Sequence, residues 1–373
     1  MPRSLRDSCS AFMVDGTLHP PRALSRQQGA CVNLTLWDQP DALDRLRAPW
    51  SALFDRCPDA PIFLSWEWAS TWWAHFQDGR RPHILTIEEG NTVLAVVPLM
   101  SSPDGSRLAF LGNGQTTDYA DLLVTGAEQR QAVAALMGYL KDAVANGSAA
   151  ILEPIPAESA LLDGASDGAG PIINLHRLET CPTVSLPDTW EGYLARLSRT
   201  DRHELRRKMR RAESAGQLVC NVAVDPQQVL DSLPSFFRLH QSSADPRKAQ
   251  FLELPLQHFF TEVSVALAGR GWLRLSTLQL DGADIASVLS FDRESTVALY
   301  NSGFDPQYRP ISPGLIIIAH ELQSAIERGR RTYDFLRGDE PYKYDFGAED
   351  RFVWRMCLGL EAPLCTEDGS LAE

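Results

Sequence analysis

Apolar positions along the chain change period from helical to alternating and back, and the first clear element is "FLSWEWASTWWAHF" (Phe63 to Phe76). It carries too many large aromatics for a loop and reads as a buried helix. "HILTIEEGNTVLAVVPLM" follows as two apolar runs joined at Gly90-Asn91, a hairpin, with "RLAFLG" and "DYADLLV" as further strands. "AEQRQAVAALMGYLKDAVANG" returns to the helical period and stops at Gly147, after which "AAILEPI" reads as a strand. "ESALLDGASDGAGP", rich in Gly, Ser and Asp, predicts a loop closing this part.

Beyond Pro187 the order recurs. Helices are predicted around Thr189 to Ala215, Pro226 to Ser242 and Leu254 to Ala268. The hairpin "WLRLSTLQLDGADIASVLSFD" turns at Asp281-Gly282, and a strand "TVALYNSG", a helix and a strand "RTYDFL" come after it. The recurrence points to a duplicated α/β unit, which suits a chain of 373 residues, longer than one ordinary core needs. The expected division is a disordered 1–30, a first domain over 31–186 and a second over 187–373.

Charge narrows the partners. A formal net charge of −13 and a pI near 5.1 give no bulk attraction to nucleic acid or an anionic membrane. "SRTDRHELRRKMRRAE" is the basic exception, and its spacing fits a solvated helix with pairs such as Glu204 with Lys208. Nucleic acid is therefore not an expected partner. The seven cysteines are scattered without a C-x-x-C pair, which predicts reduced thiols and neither a disulfide framework nor a metal site. No stretch approaches the roughly 20 apolar residues of a membrane span, so a soluble, cytoplasmic protein is expected.

"RPISPG" (Arg309 to Gly314) opens the last long helix. Ser312 is suited to the N-cap, Pro313 to the first helical position and Gly314 to close backbone approach. Leu315, Ile318, Leu322, Ala325 and Ile326 form the inner face, and Gly329 stops the helix. Small residues at a helix N-terminus beside Arg309 suit an anion such as a pyrophosphate; a well-capped core helix is the other reading.

This segment resembles the R/Q-x-x-G-x-G/A pyrophosphate loop of GNAT N-acetyltransferases, with Ser312 in place of the middle glycine. The longer stretch "ALYNSGFDPQYRPISPGLIIIAHELQSAIERGRRTYDFLRGDEPYKYDFG" resembles the CelD-type acetyltransferases, related to the FemAB peptidoglycan aminoacyltransferases. The resemblance is strong over Thr189 to Gly347 and weaker over Trp37 to Leu186. It implies an α/β (α+β) fold of two GNAT-like units, each a mixed, mostly antiparallel sheet flanked by helices. It also implies acyl transfer from acetyl-CoA or another acyl-CoA, without a metal, to a small-molecule or sugar amine of envelope or exopolysaccharide synthesis. Arg309 would meet the pyrophosphate by its side chain, and Ser312, Gly314 and Leu315 mainly by backbone amides. The first unit carries "LGNGQTTDYADL" at the corresponding place, without an arginine-led loop, so only the second is expected to bind cofactor.

Acyl transfer from a thioester needs a neutral amine, a group to take its proton and oxyanion donors. No Ser/His/Asp or Cys/His constellation stands out, which favours direct attack. Asp334 and Lys343 match the family pattern: Asp334 as proton acceptor, directly or through water, and Lys343 as an anion-binding group. A structural ion pair between them is the alternative. Tyr300, on the strand before the turn, is placed to protonate the departing thiolate or to pack in the core. His240, ending a helix, is either an acceptor-site residue or a capping or surface histidine. Two competing functions stay open: aminoacyl-tRNA-dependent aminoacyl transfer, and a non-catalytic scaffold whose Trp66, Trp68, Trp72 and Trp73 stack on polysaccharide.

Overall fold

Ser65 starts the aromatic helix by accepting the Trp68 amide with its side chain. The computed structural model describes residues 22–26, 32–90, 92–112, 116–166, 173–242 and 254–360. In the N-terminal half, α1 (Ala42–Asp55) and α2 (Trp66–Phe76) pack beside a sheet ordered β1 (Arg22–Arg26), β2 (Val32–Trp37), β4 (Ile84–Glu89), β5 (Thr92–Val97) and β8 (Leu123–Val124). A second sheet runs β10 (Ile173–Thr180), β17 (Phe352–Leu358), β9 (Ala149–Pro156), β7 (Arg107–Phe110), β6 (Leu99–Ser101) and β3 (Arg81–Pro82). α3 (Gln129–Ala145) makes the crossover between the parallel strands β7 and β9.

Two local expectations change. Residues 22–26, expected within a disordered leader, form an edge strand because they complete the backbone ladder of β2; residues 1–21 and 27–30 lie outside those described. The predicted loop "ESALLDGASDGAGP" contains α4 (Ala160–Ser166), because Leu161 buries fully in the core beneath α3; residues 167–171 lie outside those described.

The C-terminal half holds one sheet ordered β11 (Thr183–Ser185), β16 (Thr332–Asp334), β15 (Thr296–Phe304), β14 (Ala283–Arg293), β13 (Leu273–Leu280) and β12 (Leu218–Ala223). The predicted hairpin forms, with φ of 50° at Asp281 and 84° at Gly282, as a two-residue type I′ connection requires. α5 (Trp190–Arg196), α6 (Arg199–Glu213), α7 (Pro226–Gln241), α8 (Leu254–Gly269) and α9 (Pro313–Glu327) cover this sheet. α9 is the crossover from β15 to its parallel neighbour β16, repeating the β7–α3–β9 arrangement of the first half.

Sheet membership crosses the division expected at residue 187. β11, from the N-terminal half, pairs antiparallel with β16, while β17, from the C-terminal end, inserts between β9 and β10. Each half thus completes a sheet of the other. Their cores also merge: Trp50, Phe63 and Trp68 share one cluster with Phe236, Phe259 and Phe291. Arg293 fastens the join. Its guanidinium, from the end of β14, donates to the carbonyls of Phe54 (2.8 Å), Cys57 (2.8 Å), Pro58 (2.6 Å) and Ala60 (3.2 Å) where α1 ends. A buried cation thereby gathers one carbonyl of the last turn of α1 and three of the loop that follows it, where the negative end of the helix dipole favours positive charge. Cys57, Cys181 and Cys220 are free thiols, whereas Cys357 is disulfide-bonded, contrary to the expectation of reduced cysteines.

Candidate active site

β15 and β16 pair over only three residues, Thr296–Ala298 against Thr332–Asp334, after which β15 continues to Phe304 without a neighbour on that side among the described residues. A register shift helps to part them: Leu289 faces Asn301 and Ser290 faces Leu299, leaving Tyr300 as the extra residue of a bulge. Asp334 is the last residue of β16, at the point where the gap opens.

The Asp334 carboxylate is held on both oxygens. Oδ1 accepts the Leu336 amide at 2.8 Å, an Asx turn, and Oδ2 accepts the Tyr119 hydroxyl at 2.9 Å. Burial pushes its pKa up to about 6, against the opposing pull of those two donors. Asp334 lines a cavity of about 610 Å³ between the two halves, together with Tyr119, Asp121, Phe63, Phe291 and Arg351. Asp121 is likewise raised to about 6 by burial, opposed by hydrogen bonds from Ser159 and the Leu122 amide. The cavity therefore holds two carboxylates, one from each half, that ionise within the physiological range.

Lys343 does not join them. It is buried in α10 (Pro341–Asp345), where Nζ donates to the carbonyls of Leu336 (3.3 Å), Arg337 (2.9 Å) and Gly338 (2.8 Å) and pairs with Glu340 at 2.9 Å. Its donors are spent on the loop after Asp334, so neither the anion-binding role nor the ion pair with Asp334 is realised. The ammonium instead holds a turn in which Leu336 takes a φ of 55°, a strained value for leucine.

Tyr300 turns away from the gap. Its hydroxyl donates to the Thr116 carbonyl of the first half at 2.8 Å, and its ring packs among Phe63, Trp68, Phe260 and Phe291. Burial raises the phenol well above its ordinary value, and the core reading is the one realised. His240 is also a core residue, fully buried, with Nε2 3.1 Å from Asn301 Oδ1. β15 approaches it so closely that a Cβ at Gly303 would lie 2.3 Å from the His240 amide nitrogen. Three of the four tryptophans share that fate: Trp68, Trp72 and Trp73 are buried, whereas Trp66 is half-buried, donates to the Leu43 carbonyl and carries the Arg47 guanidinium 4.6 Å over its ring.

At the turn before α9, Pro313 takes the first helical position as expected, but Ser312 adopts a left-handed conformation (φ 56°, ψ 51°) and its side chain caps nothing. The Ser312 amide donates to the Arg309 carbonyl, and the Leu315 and Ile316 amides both point to the Ser312 carbonyl. Ser312 and Leu315 therefore offer no backbone donor; of the three predicted loop amides Gly314 is the one with no backbone acceptor. Gly314 has no room for a larger residue, since a Cβ would press on the Phe304 ring 3.2 Å away. Arg309 is exposed, without an ion-pair partner among the described residues. One guanidinium and one free amide at a positive helix end fit an anionic phosphate. The predicted pair of Glu204 with Lys208 forms at 3.7 Å on α6, and Arg207 also takes Glu204, at 2.7 Å.

Sequence reasoning missed Tyr119, Asp121 and Arg293. The "DYAD" run was a visible signal, since polar residues interrupt an otherwise strand-like stretch; Arg293 carried none.

Residues 199–344 match the family model of the acetyltransferase (GNAT) domain. That GNAT segment runs from α6 into α10 and contains the gap, the turn and Asp334. No functionally curated protein matches the chain. Among solved structures, FemX is similar at 14% identity, over 84% of this chain and 96% of that one, with a TM-score of 0.60. The C-terminal domain (DUF2156) of a putative lysylphosphatidylglycerol synthetase from Agrobacterium fabrum is similar at 14% identity over 87% and 96%, with a TM-score of 0.59. L-PGS from Bacillus licheniformis is similar at 12% identity over 88% and 94%, with a TM-score of 0.56. At such identities the likeness is one of fold, and it extends over both GNAT-like units. Among the described residues no acidic, histidine or cysteine cluster suits a metal ion, and no helix is long and apolar enough to cross a membrane.

Proposed function

We propose that the chain is an acyltransferase that moves an acyl group from a coenzyme A thioester to an amine, with Asp334 as the proton acceptor. The observation that carries this reading is the position of Asp334: a carboxylate of raised pKa where β15 and β16 part, facing a cavity that both halves wall. Arg309 and the Gly314 amide would hold the coenzyme's phosphates, and the bound thioester would supply the electrophile. With a pKa of about 6, Asp334 is largely ionised at neutral pH and can take the proton of an attacking amine that enters through the cavity. Phe63 and Phe291 in the cavity wall exclude water from that transfer.

The finer likeness, to CelD-type acetyltransferases, rests on Arg309 to Gly314 and on Tyr333 to Lys343. With it come acetyl as the acyl group, a cytoplasmic setting and an amino sugar or metabolite of envelope or exopolysaccharide synthesis as acceptor. Thiol release from acetyl-CoA, followed over a panel of amino sugars, amino acids and polyamines, tests the proposal. Release that depends on one class of amine and is lost in Asp334→Asn is expected; no release with any amine, and no binding of acetyl-CoA, overturns it.

One observation favours a second reading, an aminoacyl-tRNA donor. α6 presents Arg199, Arg202, Arg206 and Arg210 beside the Arg309 turn, and most amides of that turn are already engaged. Transfer abolished by ribonuclease would select this reading.

A further inference from the structure

Tyr119 belongs to the first half, outside the segment that matches the GNAT domain, yet its hydroxyl donates to Oδ2 of Asp334. The other carboxylate oxygen accepts the Leu336 amide, so the two donors together fix the plane of the carboxylate. We infer that Tyr119 is a positioning residue for acyl transfer: its hydroxyl aims the Asp334 carboxylate into the cavity and favours the ionised form, making the first half a working part of the site. This rests on Asp334 being the proton acceptor.

The segment carrying Tyr119 is held from both sides. Trp68 Nε1 donates to Thr117 Oγ1 at 3.1 Å and the Ala120 amide donates to the Pro154 carbonyl at 2.8 Å, both within the first half. From the second half, Arg337 pairs with Asp118 at 2.6 Å and Tyr300 donates to the Thr116 carbonyl. The Tyr119 ring meets Phe63 edge-on at 6.2 Å. The phenol is therefore held in place, with the Asp334 carboxylate and the Cys181 thiol as its hydrogen-bond partners.

Other groups also bear on Asp334. The Asp118 carboxylate raises its pKa and the Arg351 guanidinium lowers it, while the Cys181 thiol shares the Tyr119 side and Asp121 lines the same cavity. Of these neighbours, Tyr119 is the one that gives Asp334 a direct side-chain hydrogen bond. A hydrogen bond to the charged form of an acid favours that form, so removing the hydroxyl must make Asp334 a weaker acid; a phenol that only filled space would leave it unchanged.

The test is a carboxyl-carbon NMR titration of the aspartate-labelled full chain, with the Asp334 signal assigned from its loss in Asp334→Asn. Tyr119→Phe is expected to move the Asp334 midpoint up by about one unit. The acidic limb of the acyl-transfer rate should move the same way with KM for acetyl-CoA unchanged. Replacing Tyr119 by 3-fluorotyrosine, a more acidic donor of nearly the same shape, should move the midpoint down, and this guards against a poorly folded Phe variant. An Asp334 midpoint unmoved by both replacements overturns the inference, as does a moved midpoint with an unmoved rate profile. Full activity in Asp334→Asn would instead overturn the proton-acceptor reading, while the titration still reports on the Tyr119 contact.

Discussion

Replacing Asp334 by Asn removes a buried carboxylate that has hydrogen-bond donors but no ion-pair partner among the described residues. The ordinary value for such a group is 3.8 and the folded value is about 6, a difference of about 2 units. At about 1.36 kcal/mol per unit, ionised Asp334 costs the fold about 3 kcal/mol. The sign follows from linkage. The folded protein holds this proton more tightly than the unfolded chain, so the stabilising contribution is complete below about pH 4. It is lost as pH rises to about 6, and is absent above that. Asn does not titrate and keeps a similar shape. Urea unfolding of wild type and Asp334→Asn at pH 4 and pH 7.5 should therefore show the variant gaining about 3 kcal/mol on wild type between the two conditions. The same variant should lose acyl transfer. A stability difference that stays constant between the two pH values would refute the claim that burial governs this carboxylate.

Arg293→Met removes the donor shared by four carbonyls in and after the last turn of α1, two of which keep a backbone amide, and is expected to cost about 1.5–3 kcal/mol, read as a lower urea midpoint; an unchanged midpoint would mean that water replaces the guanidinium freely. Lys343→Met should lower stability by about 3 kcal/mol, and any loss of activity should follow from the loosened loop after Asp334. Lost turnover with an unchanged unfolding curve would return Lys343 to the site.

The parts legible in the sequence were those written in local chemistry. The Asp281-Gly282 turn, the Pro313 helix start and the aromatic helix each depend on neighbours a few residues away, and each formed, the helix from Trp66 to Phe76 with Phe63 and Leu64 in a separate 3-10 turn before it. The motif singled out Asp334, which lines the cavity. Lys343 shared that motif, but a motif does not say which way an ammonium points, and three nearby carbonyls claimed it. His240 and Tyr300 were drawn into the core because β15 packs closely on α7 and its bulge turns Tyr300 toward the first half. The exchange of β11 and β17 between sheets, the Arg293 clamp and the Tyr119 contact join residues more than a hundred positions apart. Hydrophobic periodicity carries no signal for such pairings.

Calorimetric titration of acetyl-CoA into the wild-type chain and Arg309→Ala tests the central claim most directly. The acyl-CoA reading predicts saturable binding that weakens by about tenfold to a hundredfold in the variant, the loss of one charge-assisted contact. Absence of binding to the wild type, or equal binding by both proteins, would contradict it.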